Sequence, residues 1–556
     1  MLINASAILN YNRCRRFAAL NDPYTAFYLN SDFSQENSLF RDIFLSHLYH
    51  PNKEIRKAVN LTYVFEHEVT LSENYDFILD DSEAYCLLTA TSRDFLDLKF
   101  KDESKKCNVF TINNGIYSLR TTNLQNKHFK EKLEKLYTQF DPLGKIVFSY
   151  ALKNYILKKV YPNKNIKLYF ALLNTDYKYD GISYTEKLYH LFDFSTLKDL
   201  DEMVEIALFR MINHLELNDF TPCQLVKKAC NLNRPGECKF VNFCYSHLPS
   251  NTSILDYFNS HYGFSEHKGE GNVHHDTYDL LNEGYVSMQD VPISWLKDQN
   301  HLMQRYCVDN QTIYFHNEKI KKGLEQLKYP IYYLDFEAIP LPIPRYVGES
   351  PYTQSVFQYS VHIETAENEL DSIDKNHYDF IANPNKDERE VLLKSLLEVL
   401  GDKDSSIVVY NKTFEKTRLE EFKKIFPAYK NKIDKVIKRL FDLMDIVKIN
   451  KAFYSDLGFD SSDLESYNLY HPDLGGSYAL KKVIKIFVKD AYENLVIKDG
   501  VKAYETFEKL QDASKAEAAD IRKNLHEYCR QDTYSMYQII QGLKELIGPE
   551  YLIKNS

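Results

Sequence analysis

At 556 residues the chain exceeds one ordinary core, and roughly two to four domains are expected. Its 44% hydrophobic and 27% charged residues fit a soluble globular protein, and its net charge of −10 argues against one that coats nucleic acid non-specifically, so any such contact must be local. No apolar run is long enough to span a bilayer, and the opening MLINASAILNYNRCRRFAAL lacks the basic-then-apolar order of a signal peptide, so a cytoplasmic protein with no membrane partner is expected.

Three regions separate by pattern: 1–250, 251–325 and 326–556. The first mixes helical and strand signals and ends in ACNLNRPGECKFVNFCYSHLP, where Cys230, Cys238 and Cys244 are spaced C-x7-C-x5-C. Far upstream, Cys14 stands in YNRCRRFAAL beside two arginines. In a large chain without a disulfide framework, such clustering points to a thiolate metal site, which a fourth soft ligand completes. The spacing is looser than the paired C-x2-C of a zinc ribbon, so it does not fix the metal. Cys86, Cys107, Cys223, Cys307 and Cys529 are scattered and read as structural. The second region is polar, with HKGEGNVHHD as an exposed loop and LLNEGYVSMQDVP leading into a small connector.

From Tyr329 an α/β pattern resumes. In YPIYYLDFEAIPL, Ile331 to Leu334 reads as a buried strand, and Asp335 and Glu337, two apart, share a face at its end. Adjacent carboxylates are costly unless a cation neutralises them, and Mg²⁺ or Mn²⁺ suits oxygen ligands. In SSIVVYNKTFEKTRLEEFKKIF, a strand over 406–410 hands over to a helix marked by Leu419, Phe422 and Phe426, with Asn411 and Glu415 at the junction. Glu415 can serve the same metals or merely favour the helix dipole. RLFDLMDIV adds Asp442 and Asp445 as secondary acids. In DLGGSYALKKV, Gly475 and Gly476 precede Ser477, a candidate helix cap whose turn can hold a phosphate. The late helix NLHEYCRQDTYSMYQIIQGL places Tyr528 and Asp532 four apart on one face, the aspartate needing a partner or metal and the tyrosine within reach of an attacking water.

Taken together, the ordered pieces Asp-x-Glu, Asn-x-x-Phe-acid and Tyr-x-x-x-Asp resemble the tyrosine-bearing branch of the DEDD exonucleases, which have an RNase H-like fold. The resemblance implies a metal-dependent 3′→5′ exonuclease acting on single-stranded DNA or RNA. Asp335, Glu337, Glu415 and Asp532 would hold two Mg²⁺ or Mn²⁺ ions that stabilise the attacking and leaving oxygens, and Tyr528 would position the water. The second motif usually ends in Asp; the extra methylene of Glu415 puts rate and metal preference in question.

One distant N-terminal cysteine with three clustered ones resembles the iron–sulfur staple of RecB-like nucleases, which implies a [4Fe–4S] cluster on Cys14, Cys230, Cys238 and Cys244, with Zn²⁺ as the alternative. That resemblance demands a PD-(D/E)XK centre. TSRDFLDLKF offers Asp94, but Ser118 and Arg120 stand where Glu and Lys are needed, and Lys153 where Gln is usual. The implied first domain is a degenerate nuclease. The whole arrangement, including LLNTDYKYDG, SPYTQSVFQYSVH and GSYALKKV, resembles the bacterial family built on domain of unknown function 2779. The expected fold class is therefore α/β: a PD-(D/E)XK-like domain with a cysteine staple over 1–250, a connector over 251–325 and an RNase H-like domain over 326–556. Two rival readings stay open: a catalytically silent nucleic-acid-binding or scaffold protein, and a thiolate-metal structural protein.

Overall fold

A computed structural model describes residues 2–20, 34–48, 53–66, 69–122, 125–216, 230, 238–269 and 271–548. The chain is mixed α/β and divides into two compact units, one of Met1–Ser246 with Pro340–Thr353 and one of His247–Ile339 with Gln354–Ser556. Among the described residues no helix is long and apolar enough to cross a membrane.

The first unit is built on an eight-stranded sheet. Its strands are β1 (Leu2–Ile3), β2 (Ile55–Glu66), β3 (Val69–Leu79), β4 (Glu83–Thr91), β5 (Phe110–Asn113), β6 (Ile116–Leu119), β7 (Lys167–Leu173) and β8 (Tyr189–Asp193). The order is β1-β3-β4-β7-β8-β6-β5, with β2 also on β3. β2, β3 and β4 form an antiparallel meander, whereas β7 runs parallel to β4. The return to β7 passes through helix α1 (Pro142–Val160). Asp141 caps it by accepting from the Leu143 amide at 2.9 Å, and Pro142 fits the first turn. Residues 146–148 and 150–157 of α1 are buried and supply much of this unit's core. The central β7, buried over KLYFALL from its second residue on, is continuously apolar as an interior parallel strand requires. LLNTDYKYDG follows β7 and receives the returning segment 340–353: Gly348 N donates to the Tyr179 carbonyl at 2.8 Å, and Ser350 Oγ to that of Tyr177 at 2.5 Å.

The second unit carries a five-stranded sheet of β9 (Ile331–Pro340), β10 (Gln354–Glu364), β11 (His377–Ile381), β12 (Ser406–Val409) and β13 (Leu440–Asp442), in the order β11-β10-β9-β12-β13. β9, β12 and β13 are parallel, and β10 and β11 form an antiparallel pair. Its helices include α2 (Thr413–Ile425), α3 (Leu480–Phe487), α4 (Gly500–Glu508) and the 33-residue α5 (Lys515–Ile547). Ser514 and Glu517 cap α5 reciprocally. Alternation along β9 decides what faces what. Tyr332, Leu334 and Phe336 join the core of Leu392, Leu396, Leu419 and Phe422, so Tyr333, Asp335 and Glu337 point to the other face, where Tyr333 meets Tyr537 of α5 edge-on.

The stretch 251–325 belongs to this second unit, with Phe258 stacked 3.8 Å from Tyr467 and Tyr314–Phe315 paired with Leu469–Tyr470. HKGEGNVHHD is not an irregular loop. Phe264–Lys268 and Gly271–His275 pair as a hairpin, with Gly269 at φ +58°. Its polar residues hide the strands because no apolar period marks them.

Candidate active site

Expected strand ends differ from the observed ones. The first C-terminal strand, expected to end at Leu334, continues as β9 to Pro340 with β10 beside it, so Asp335 and Glu337 lie within the strand. β12 pairs only with Ile331, Tyr332 and Tyr333. The two acids therefore lie past its carboxyl end, where the strand order reverses from β9 to β12, the place where open α/β sheets form binding crevices.

Three of the expected acids converge. Carboxylate oxygens of Asp335, Glu337 and Asp532 lie within 4.8 Å of one another. Asp532 comes from α5 and is 5% exposed; Glu337 is 8% exposed. Burial, then repulsion from Asp532, pushes Asp335 well above the usual carboxylate range. Burial followed by repulsion from Asp335 and Asp532 does the same to Glu337. Burial also raises Asp532, opposed by Lys481 and by the tyrosine hydroxyls of Tyr492 and Tyr528.

Glu415 stands in the first turn of α2, outside that tight group. It is 2% exposed, and its Oε2 is buried without a hydrogen-bond partner. Burial first, then the charge of Asp335, raises it. A buried, unpartnered carboxylate oxygen near a buried carboxylate triad is an all-oxygen donor set of the kind that suits Mg²⁺ or Mn²⁺.

Tyr528 is placed as expected, one turn before Asp532 and buried. Burial and the neighbouring acids raise its hydroxyl far above the ordinary phenol value, so it is a neutral donor. Three partners were not foreseen. Lys481 Nζ donates to the Tyr528 hydroxyl oxygen at 2.9 Å and to the Lys498 carbonyl at 2.5 Å. Tyr492 donates a short hydrogen bond to Asp532 Oδ1. Cys529, read as structural, donates its thiol to Asp335 Oδ2 at 3.3 Å, and burial keeps it protonated. Its place one residue after Tyr528 and three before Asp532 was the available signal. Lys481 lay inside a noted motif, but nothing in its spacing marks it.

The secondary candidates resolve differently. Asp442 Oδ1 and Oδ2 accept from the amides of Asn411 and Lys412 at 3.0 and 2.9 Å, so this acid braces the turn into α2. Asn411 there has φ +66°. Asp445 accepts from Asn450 at 2.6 Å. Ser477 is not a helix cap. Helix α3 starts at Leu480 with Ala479 as its cap, and the Gly475–Gly476 turn lies against Asn251 and Asp256, leaving no phosphate cradle.

In the first unit the residues expected at a degenerate nuclease centre are not gathered in one place. Lys153 Nζ pairs with Glu73 Oε2 at 2.6 Å, and Arg120 Nε donates to the Asn108 carbonyl at 3.1 Å. Asp94 sits in the Arg93–Leu96 turn, where burial and then the charge of Asp97 raise it, and Ser118 lies on β6. The cysteines do gather. Cys14 and Cys238 lie close enough to act electrostatically on both Cys230 and Cys244, where burial followed by these thiols raises the pKa. Arg16 stacks over Phe243 and Lys239 over Phe17, holding the Cys14 segment against 238–245. No three of these sulfurs lie within 4.8 Å of one another. Of the remaining thiols, Cys86 and Cys307 are buried and raised by burial; Cys223 lies outside the described residues.

Residues 332–479 match the family described as domain of unknown function (DUF2779). The chain is similar to uncharacterized protein MG366 of Mycoplasma genitalium, 30% identical over 245 residues covering 41% of this chain and 34% of that protein. It is also similar to its Mycoplasma pneumoniae homolog, 28% identical over 48% of this chain and 40% of the relative, and to uncharacterized protein UU173 of Ureaplasma parvum serovar 3, 28% identical over 30% and 22%. The chain thus spans between a fifth and two fifths of the length of these relatives. No solved structure matches it.

Proposed function

We propose that the second unit is a metal-dependent 3′→5′ exonuclease of RNase H-like fold that hydrolyses phosphodiester bonds of single-stranded nucleic acid. The observation that carries this reading is the buried triad of Asp335, Glu337 and Asp532 with the unpartnered Glu415 Oε2 beside it, since four carboxylates kept in one dry place have no structural purpose without a cation. Bound there, Mg²⁺ or Mn²⁺ ions supply charge neutralisation and an activated water.

The chain's own groups have separable roles. Asp335, Glu337 and Asp532 hold the cations, with Glu415 reaching them from the start of α2. Lys481 fixes Tyr528 by donating to its oxygen, which leaves the tyrosine proton to donate into the acidic centre. Tyr528 thereby orients a water. Tyr492 and Cys529 hold the carboxylates of Asp532 and Asp335 in place.

In the first unit, Cys14, Cys230, Cys238 and Cys244 are proposed to ligate a [4Fe–4S] cluster. Zn²⁺ on the same four thiols is the alternative. The unit itself is proposed to be a PD-(D/E)XK-like scaffold without its catalytic centre.

The test is hydrolysis of end-labelled single-stranded DNA and RNA by anaerobically purified protein with Mg²⁺ or Mn²⁺, beside an Asp335→Ala control. Stepwise loss from the 3′ end, absent in the control, is expected. Binding without cleavage under both metals would overturn the exonuclease and leave the silent binding protein.

A further inference from the structure

A second group of metal-ligand side chains sits at the hairpin edge of the second sheet. His377 and Asp379, two apart, share a face of β11, and His526 approaches them from α5. Ligand atoms of the three lie within 4.8 Å of one another. His526 Nδ1 is 2.7 Å from Asp379 Oδ2, and the two side chains are 35% and 27% exposed, so the group is open on one side to water and to an entering ion.

A buried hydrogen-bond chain decides which nitrogen of His377 is available. His362 Nε2 donates to the Ile373 carbonyl at 2.8 Å, so its Nδ1 carries a lone pair and accepts from the Thr533 hydroxyl at 2.8 Å. Were the Thr533 proton given instead to the Arg530 carbonyl, 3.0 Å away, the Nδ1 lone pair of His362 would face an oxygen lone pair. Ser360 must then donate to Thr533, at 2.9 Å, and accept from His377 Nε2, at 2.8 Å. The network assigns the proton of His377 to Nε2 and leaves the Nδ1 lone pair for a ligand. This is how outer hydrogen bonds fix a metal-binding imidazole. The nearby guanidinium of Arg530 is tied to Asp374. Its charge is thereby offset, and Asp379 remains as the local anion.

We propose that His377, Asp379 and His526 form a second metal site, for a borderline divalent cation such as Zn²⁺. Two imidazoles and one carboxylate suit zinc and its first-row neighbours and disfavour Mg²⁺, which prefers all-oxygen donors. The entering ion displaces the proton lying between His526 Nδ1 and Asp379, which passes to Nε2 of the same ring or to water. Bound metal clamps α5 to the sheet edge two residues before Tyr528 and six before Asp532. Its role is structural: it sets the position of the helix that carries Asp532, with Tyr528 and Cys529, into the acidic centre. The site stands independently of the exonuclease reading.

The test is titration of chelator-treated, iron-loaded full-length protein with Co²⁺ in excess Mg²⁺, following the visible ligand-field absorption and the stoichiometry. One equivalent without thiolate-to-cobalt charge transfer is expected. It should be lost in His377→Ala and in His526→Gln and retained in Asp335→Asn. His526→Gln keeps a donor for Asp379, and Asp379→Asn gives a third variant should either histidine change disturb folding. No such equivalent in the wild type, or an unchanged one in the histidine variants, overturns the site.

Discussion

Replacing Asp335 by asparagine should stabilise the second unit when divalent cations are withheld and destabilise it relative to wild type when they are supplied. The carboxylate oxygens of Asp335, Glu337 and Asp532 lie within 4.8 Å of one another. At an effective dielectric near 20, each ionised pair at that distance repels by about 3.5 kcal/mol. Asp335 takes part in two of the three pairs in this triad and faces Glu415 besides. Bound protons relieve much of this repulsion, so the net gain in chelator is about 1–3 kcal/mol, a rise in melting temperature of roughly 2–8 °C. Asparagine keeps an acceptor for the Cys529 thiol, 3.3 Å from Asp335 Oδ2, so loss of that bond does not confound the comparison. With Mn²⁺ at a hundred times its dissociation constant, wild type gains about 2.7 kcal/mol, and the variant, short of a ligand, gains little. The single tryptophan, Trp295, belongs to this unit, so its fluorescence on heating follows the right transition. A variant that melts below wild type in chelator and gains equally from Mn²⁺ would refute the cation-site reasoning.

Tyr528→Phe should cut hydrolysis by roughly a hundredfold or more while leaving stabilisation by Mn²⁺ intact, and equal turnover would remove the water-orienting role. Lys481→Met should lower turnover in the same direction because the Tyr528 hydroxyl loses its anchor; a rate fall that is the same in a Tyr528→Phe background would show that Lys481 acts by another route. Cys238→Ser should abolish bound iron and its visible absorption and lower the first unit's melting temperature, whereas wild-type iron content would exclude Cys238 as a ligand. Lys153→Met strands the buried Glu73 carboxylate and should cost about 3–5 kcal/mol, part of which Glu73→Gln restores. Additive losses in the double variant, measured by denaturant unfolding, would mean the two do not interact.

Residue types at short spacing made most of the acidic centre legible. Asp335 and Glu337 obey the two-residue period of a strand, and Tyr528 and Asp532 the four-residue period of a helix, so each pair's shared face follows from local geometry. Glu415 followed from the strand-to-helix handover. Lys481 and Tyr492 were not legible, because no periodic rule links α3 or residue 492 to α5; only tertiary packing brings them in. The same limit explains the nuclease-like residues of the first unit. Asp94, Ser118, Arg120 and Lys153 were aligned by order along the chain, yet β6 lies at the far side of the sheet from β3, and Lys153 is claimed by Glu73 of β3. The cysteines were the reverse case: Cys14, far in sequence from the clustered Cys230, Cys238 and Cys244, comes near them because its segment packs beside 238–245.

Helix α5 joins these observations. A surface helix would keep its polar residues outside, but here Asp532, Thr533 and Ser535 are all buried. Two of them meet a counterpart at a set height, Asp532 at Tyr492 and Thr533 at His362 and Ser360, as does the Leu525 carbonyl at Gln358 Nε2, 2.9 Å away. A slip of α5 by one turn would break all of these at once and bury unpaired polar groups, each costing about 1–3 kcal/mol. Apolar contacts alone, such as those of Ile539, Ile540 and Leu543, would tolerate that slip far better, since similar residues recur every turn. The buried polar set therefore fixes the register of α5. With it fixed, Asp532 comes within metal-sharing distance of Asp335, and His526, on the neighbouring face, meets His377 and Asp379.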